Sequence, residues 1–196
     1  MRKNRQLAEE RDKLKERALE AFTSALEARD PATRSHCERV SELASRLAKQ
    51  LDLAPLEVAD LVIACGLHDF GVIDVPDRLL HKPGPLTPAE WEVMKRHPDV
   101  GADLVGTVRV FAGAAVLMRH HHERWDGSGY PGGLKGERIP MGARIIAVAE
   151  SFDFITHKWP YRANPLNDLQ AEQDISKHAS SWYDPAVVDA LLARYD

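Results

Sequence analysis

An all-α fold is predicted, on three observations. Apolar residues recur at intervals of three and four along most of the chain, the spacing that lays one buried stripe on a helix. Helix-start signals precede several stripes: Asp30-Pro31, Thr87-Pro88-Ala89-Glu90 and Asp184-Pro185 each put a side-chain acceptor at the N-cap and proline in the first turn. No segment sustains the period-two alternation of a half-buried strand. With 196 residues, 44% hydrophobic and 29% charged, the chain has the size and composition of one soluble domain with a real core.

Residues 2–29 mix charges of both signs with Leu7, Leu14, Ala21 and Ala28. That seven-residue spacing suggests a helix with a coiled-coil tendency, weakened by alanine at half the seam. A surface helix packed on its own domain and a dimerising signalling helix both fit. The next helix, from Asp30-Pro31, carries His36, Val40, Leu43, Leu47 and Leu51 on one face, so His36 points inward. After Pro55, a helix places Leu61, Ala64, Cys65 and His68 together and stops at Asp69-Phe70-Gly71. Val72 to Pro85 holds three prolines and a glycine and reads as a loop, with at most a short helical turn at Asp77 to Leu80.

The Thr87 capping box opens a helix with Trp91, Met94 and His97 on one side, bent or restarted at Pro98. Val110 to His122 is apolar and helical, and it delivers three consecutive histidines at its C-terminal end. Pro140 starts a helix with Ala143, Ile146, Glu150 and Phe154 on one face. Asp184-Pro185 caps a last helix, Ala186 to Tyr195, whose Val187, Val188, Leu191 and Leu192 close the core. The expected organisation is an N-terminal helix over residues 1–29 and a domain over 30–196.

Composition narrows the function classes. No apolar run approaches the roughly 20 residues needed to cross a bilayer, and the charged N-terminus is unlike a secretory signal. A cytoplasmic protein without a membrane span is expected. Cys37 and Cys65 form no paired motif and read as free, buried thiols. The net charge of −4 argues against attraction to nucleic acid polymers or anionic membranes. A small phosphate ligand held by metals is compatible with it.

Five inward places on different helices carry seven metal-type side chains: His36, His68 with Asp69, His97, His121 with His122, and Glu150. Singly, each has a bland explanation. A lone inward histidine is usually a core residue with its hydrogen bonds satisfied, and Glu150 would pair with a buried arginine such as Arg144. Together they match the way helical bundles build metal sites from facing helices. Imidazoles with carboxylates suit Fe, Mn, Zn or Ni rather than Ca or Mg. Directly after the histidines, Glu123-Arg124-Trp125-Asp126-Gly127-Ser128-Gly129-Tyr130-Pro131-Gly132-Gly133 forms a glycine-rich loop in which backbone can approach a ligand closely.

These stretches resemble the HD-GYP domains, which belong with the HD-superfamily phosphohydrolases and hydrolyse cyclic di-GMP. The resemblance runs from about Asp30 to the C-terminus. It includes His68-Asp69-Phe70-Gly71, Val75-Pro76-Asp77, Lys82-Pro83-Gly84, Met94-Lys95-Arg96-His97-Pro98 and His121-His122-Glu123 through Pro131. It continues through Gly133-Leu134, Arg144 to Ala149, Pro160-Tyr161-Arg162 and Tyr183-Asp184-Pro185. It implies an HD-domain helical bundle that is a metal-dependent cyclic dinucleotide phosphodiesterase. Two divalent transition metals would share a hydroxide that attacks the phosphodiester. His36, His68, Asp69 and Glu150 would hold one metal. Asp69 would bridge to a second held by His97 and His121, with His122 available to a further metal or a phosphate oxygen. His68 and Asp69 are the implied catalytic pair. Ala32 stands where some members have a glutamate for a third metal, so two are expected at most.

The loop residues Gly129, Tyr130 and Pro131 would line the substrate pocket, with Lys82, Lys135, Arg144 and Arg162 as phosphate or guanine contacts. The helix before Asp30 lies where such domains join sensor or receiver domains. A cyclase-domain or sensor partner, or a homodimer through that helix, is therefore implied. Departures from the family pattern shape the expectation. Val72 stands where a lysine usually contacts the substrate phosphate, and valine carries neither a proton to donate nor a charge. Glu150 stands where the metal-binding residue is usually aspartate, and Trp159 where arginine is common. Two functions follow: a phosphodiesterase, or an impaired domain that binds cyclic di-GMP or docks a protein in signalling.

Overall fold

The computed structural model describes residues 2–158 and 164–193. Among them are ten α-helices and short 3-10 turns, with no strand beyond an isolated bridge between Ala179 and Tyr183. The all-α expectation is met. Trp159 and Arg162, with Pro160 and Tyr161, lie outside the described residues.

The centre is a packed trio: α2 (Pro31–Gln50), α3 (Pro55–Leu67) and α8 (Met141–Thr156). Val40, Ala44 and Leu47 of α2, Leu61 and Leu67 of α3, and Ile145 and Ile146 of α8 are essentially inaccessible to solvent. Each buried side chain of this size contributes roughly 1.5–3 kcal/mol relative to exposure. α6 (His97–Gly106) and α7 (Ala112–His120) pack on each other and, through α7, on α3. α9 (Asp168–Lys177) and α10 (Pro185–Leu192) close the far side of α8.

α1 (Arg2–Arg29) joins this core by its C-terminal half. Phe22 meets Phe70 edge-on at 5.0 Å and Phe111 at 6.2 Å, and Leu26 is buried. Leu14, Ala21 and Ala28 of the seven-residue series face solvent instead. The helix thus packs on its own domain by one face while leaving that series outside.

Between α3 and α6 lie a 3-10 turn (Phe70–Asp74), α4 (Asp77–Leu80) and α5 (Pro88–Met94). The capping box at Thr87 forms as expected, with the Glu90 amide donating to Thr87 Oγ1 and the Thr87 amide to Glu90 Oε2. Three expectations need correction. Val110 to His122 is a 3-10 turn (Arg109–Phe111) followed by the shorter α7, which ends before the last two histidines. α9 went unanticipated, although Asn167 and Gln170 form a capping box ahead of it. Arg144 does not pair with Glu150, because Asp184 takes its guanidinium at 2.9 Å and the carbonyls of Ile139 and Glu137 take the rest.

The turn after α3 crosses α6 at backbone contact. A Cβ on Gly71 would fall 1.8 Å from the His97 carbonyl oxygen and 2.7 Å from the Gly101 amide nitrogen. Gly71→Ala is therefore expected to destabilise the fold by about 1–3 kcal/mol, read as a lower melting temperature. An unchanged melting temperature would show that the two backbones separate without cost.

Candidate metal centre

Four imidazoles are aimed by anchoring one nitrogen each. His68 Nδ1 donates to the Cys65 carbonyl at 2.8 Å, His97 Nδ1 to that of Met94 at 2.8 Å, and His121 Nδ1 to that of Met118 at 2.5 Å. In every case the acceptor is three residues back, in the last turn of α3, α5 or α7, where helix carbonyls lack intrahelical partners. The helix end thereby gains a donor, and the ring gains a defined tautomer. His36 Nδ1 is held instead by Asp153 Oδ2, 2.6 Å away on α8, which also accepts from Arg39.

With Nδ1 committed as donor, a ring in its neutral form would turn an unprotonated Nε2 inward. His36 Nε2 and His68 Nε2 are 3.3 Å apart, and His97 Nε2 and His121 Nε2 are 3.4 Å apart. Two bare lone pairs at such distances repel unless a cation lies between them. The donor set therefore fits metal ions. Two groups have ligand atoms all within 4.8 Å of one another: His36, His68 and Asp69, and His97, His121 and His122. Asp69 stands between them, with Oδ2 3.5 Å from His68 Nε2 and Oδ1 3.4 Å from His97 Nε2.

The titration behaviour agrees with that geometry. Burial lowers His68; burial and then His122 hold His121 well below the usual imidazole range. Burial and then His97 bring His122 down to about 3. Burial alone would raise Asp69, but His68 and the His97 hydrogen bond outweigh it and hold the carboxyl well below its usual value. Burial, then Asp69 and Asp153, push Glu150 up.

Glu150 is placed differently from expectation. It joins neither compact group, and its Oε2 lies 3.9 Å from His122 Nδ1. The α8 carboxylate that serves His36 is Asp153, three residues on, and it acts through Nδ1 rather than facing the centre. Tyr130 stacks obliquely on His122, ring centroids 4.9 Å apart, and meets Trp91 edge-on at 6.2 Å. Burial keeps its hydroxyl protonated. Pro131 is exposed, and Gly129 sits where a Cβ would fall 2.3 Å from the Arg124 amide nitrogen. Lys82 lines the cleft but donates to Glu90 Oε2 at 2.5 Å. Arg144 and Lys135 line neither cleft at the centre.

Those clefts lie on two sides. One of about 650 Å³ runs over His36, Asp69, Val72, Lys82, Trp91 and Tyr130. The other, about 420 Å³, lies toward α9, and the two share His122, Glu150 and Phe154. Phe154 is accordingly 37% exposed rather than buried in the core.

Comparison with known proteins places this arrangement. Residues 20–187 match the HD domain family. The chain belongs to that family. This HD domain is 41% identical over 176 residues to a cyclic di-GMP phosphodiesterase of Thermotoga maritima, covering 89% of the chain and 48% of the relative. It is 45% identical over 177 residues to the cyclic di-GMP phosphodiesterase response regulator RpfG of Xanthomonas campestris, covering 89% and 46%. The chain thus spans about half the length of these curated relatives. A solved HDG"Y"P protein from Bdellovibrio bacteriovorus shares the fold at a TM-score of 0.66 and 22% identity, covering 81% of the chain and 51% of that protein.

Two residues of the site went unassigned in the sequence. Asp153, three places past Glu150 on α8, anchors His36. Glu123 is fully buried, and its carboxylate accepts from the amides of Gly132 at 2.7 Å and Leu134 at 3.0 Å, which ties the glycine-rich loop beside His122. A carboxylate one residue after a candidate ligand and ahead of a glycine loop was the available signal.

Two outcomes are expected. Asp153→Ala removes the His36 anchor and should weaken Mn²⁺ binding by about 10–100-fold in a chelator competition; equal affinity would show that α2 packing alone aims the ring. Metal-free protein should lose stability on acidification from ~pH 7.5 to ~5.5, because His68, His121 and His122 stay neutral when folded but bind protons when unfolded below about 6.5. Glu150, raised by burial, takes up a proton in the folded state and works in the opposite direction, but three groups oppose one. A melting temperature that rises over that interval would contradict the balance.

Proposed function

We propose that this HD domain is a metal-dependent phosphodiesterase that hydrolyses a cyclic dinucleotide, cyclic di-GMP. The observation that carries the reading is the pair of inward-facing nitrogen and carboxylate groups with Asp69 between them, opening on a cleft lined by aromatic side chains. His36, His68 and Asp69 would hold one ion and His97, His121 and His122 the other, with Glu150 beside His122 as a further carboxylate. Imidazole-rich donors favour Fe, Mn, Zn or Ni. When bound, such ions supply Lewis acidity toward phosphoryl oxygens and lower the pKa of a water.

The chain's own residues do the rest. The Nδ1 anchors turn the rings so that Nε2 faces the centre. Tyr130, Trp91 and Met94 form a wall against which a base packs, with the protonated Tyr130 hydroxyl as a hydrogen-bond donor. Names of relatives with similar sequences support the substrate class. Two buried, unpaired cysteines fit action in the cytoplasm. No helix among the described residues is long and apolar enough to cross a membrane. The solvent-facing series on α1 offers a place for a second copy, or for a sensor or cyclase-domain partner.

A second reading, a domain that binds the nucleotide without cutting it, is favoured by one position. Val72 lines the larger cleft and is 7% exposed, so an apolar group stands where a proton donor to the leaving oxygen would be useful. One experiment separates the two. Mn- or Fe-loaded protein is incubated with cyclic di-GMP, and linear dinucleotide and GMP are followed against a His68→Ala, Asp69→Ala double variant. Product above that control is expected; binding without product would establish the second reading. Val72→Lys should raise turnover at least tenfold, since a missing general acid costs about 10²–10⁴-fold. An unchanged rate would remove Val72 as the limit.

A further inference from the structure

The smaller cleft contains an arginine with nothing assigned to it. Arg124 follows the buried Glu123, and its Cζ lies 4.1 Å from the centroid of the Trp182 ring. Trp182 is in turn stacked flat on His178, at 4.0 Å and 4° between planes. Among the described residues the guanidinium makes no hydrogen bond or ion pair, whereas those of Arg39, Arg119 and Arg144 are each taken up by carboxylates. Stacking fixes the plane of the guanidinium and leaves its N–H donors available.

Its surroundings say what those donors face. Arg124, Trp182 and His178 line the 420 Å³ cleft together with Ser151 and Tyr183. That volume falls in the usual range of small-ligand sites, about 300–1,000 Å³. His122, Glu150 and Phe154 line both clefts, which places the smaller one directly beside the candidate metal centre. Two carboxylates share the wall: Glu150, beside His122, and Asp174, which has Lys177 3.7 Å away. The cleft therefore offers on its Trp182 side a preoriented guanidinium with no ion pair among the described residues.

We propose that this cleft is a second subsite, in which Arg124, held on Trp182, binds the phosphate of a cyclic dinucleotide that is not at the metal centre. The inference rests on the phosphodiesterase reading and adds a residue to it. A cyclic dinucleotide carries two phosphates on opposite sides of one ring. Placing one at the histidines leaves the other to a neighbouring cation. A planar guanidinium matches two phosphate oxygens with two parallel N–H bonds. Without it, the second phosphate would sit near Glu150 and Asp174 with no other arginine or lysine among the residues that line the cleft. Arg124 is here a binding residue, not a participant in bond cleavage.

The test compares wild type with Arg124→Gln and Arg124→Lys, all Mn-loaded. Affinity for cyclic di-GMP is measured by titration calorimetry. Hydrolysis of bis(p-nitrophenyl) phosphate, whose single phosphate needs only the metal centre, is measured in parallel. Arg124→Gln is expected to raise the Kd for cyclic di-GMP by about tenfold or more, as loss of a charge-assisted pair does. Hydrolysis of the small diester should stay within about twofold, and Arg124→Lys should fall between the other two in Kd. An unchanged Kd in Arg124→Gln overturns the subsite. A parallel loss of small-diester hydrolysis also overturns it, because Arg124 would then act on the loop or the metal centre. Wild type that hydrolyses the small diester but does not bind cyclic di-GMP overturns the substrate reading itself, which separates the two failures.

Discussion

Everything at the candidate centre depends on where four imidazoles put their Nδ1 protons. In three of them the proton goes to a carbonyl three residues back, at the end of a helix that has run out of its own amide donors. This single hydrogen bond does two things. It satisfies a helix terminus inside the protein, where an unpaired carbonyl is costly, and it leaves Nε2 as a lone pair pointing at its neighbour. The cost of two facing lone pairs is a strain that a cation relieves. Burial strengthens the arrangement by keeping His68, His121 and His122 neutral.

The glycines and Glu123 supply the second constraint. α6 can begin at His97 only because Gly71 and Gly101 let two backbones touch. The loop after His122 can fold back over the centre only because Gly129 leaves room for the backbone of Glu123 and Arg124. Glu123 then binds two amides of that loop from a fully buried position. A histidine of the second candidate group, the carboxylate that ties the loop and an arginine stacked on Trp182 thus occupy three consecutive positions. The wall of the larger cleft, with Tyr130 and Trp91, is built on the same tie.

Much of this was legible in the sequence. Helical stripes predicted the class and most helices, and the inward positions of His36, His68, His97 and His121 followed from spacing. What failed did so for identifiable reasons. α9 buries only Ala171 and Ile175, so few apolar residues mark it, and its capping box was the stronger cue. α7 ends at His120, earlier than its composition suggests, and the chain passes from there into the glycine-rich loop. Glu150 and Asp153 are three residues apart on one helix, and a helical wheel cannot say which of two such carboxylates meets which histidine.

By itself the sequence determined the helical class, the family and the set of side chains with metal-ligand chemistry, because these depend on residue type and local period. Only the tertiary structure decided how the candidate ligands divide into two groups, that Asp69 lies between them, that Asp153 rather than Glu150 orients His36, and that Arg144 is committed to Asp184 while Arg124 stacks on Trp182. Those are choices between partners far apart in the chain. Distances of 3 to 4 Å between different helices settle them, and no spacing along one helix encodes such a distance.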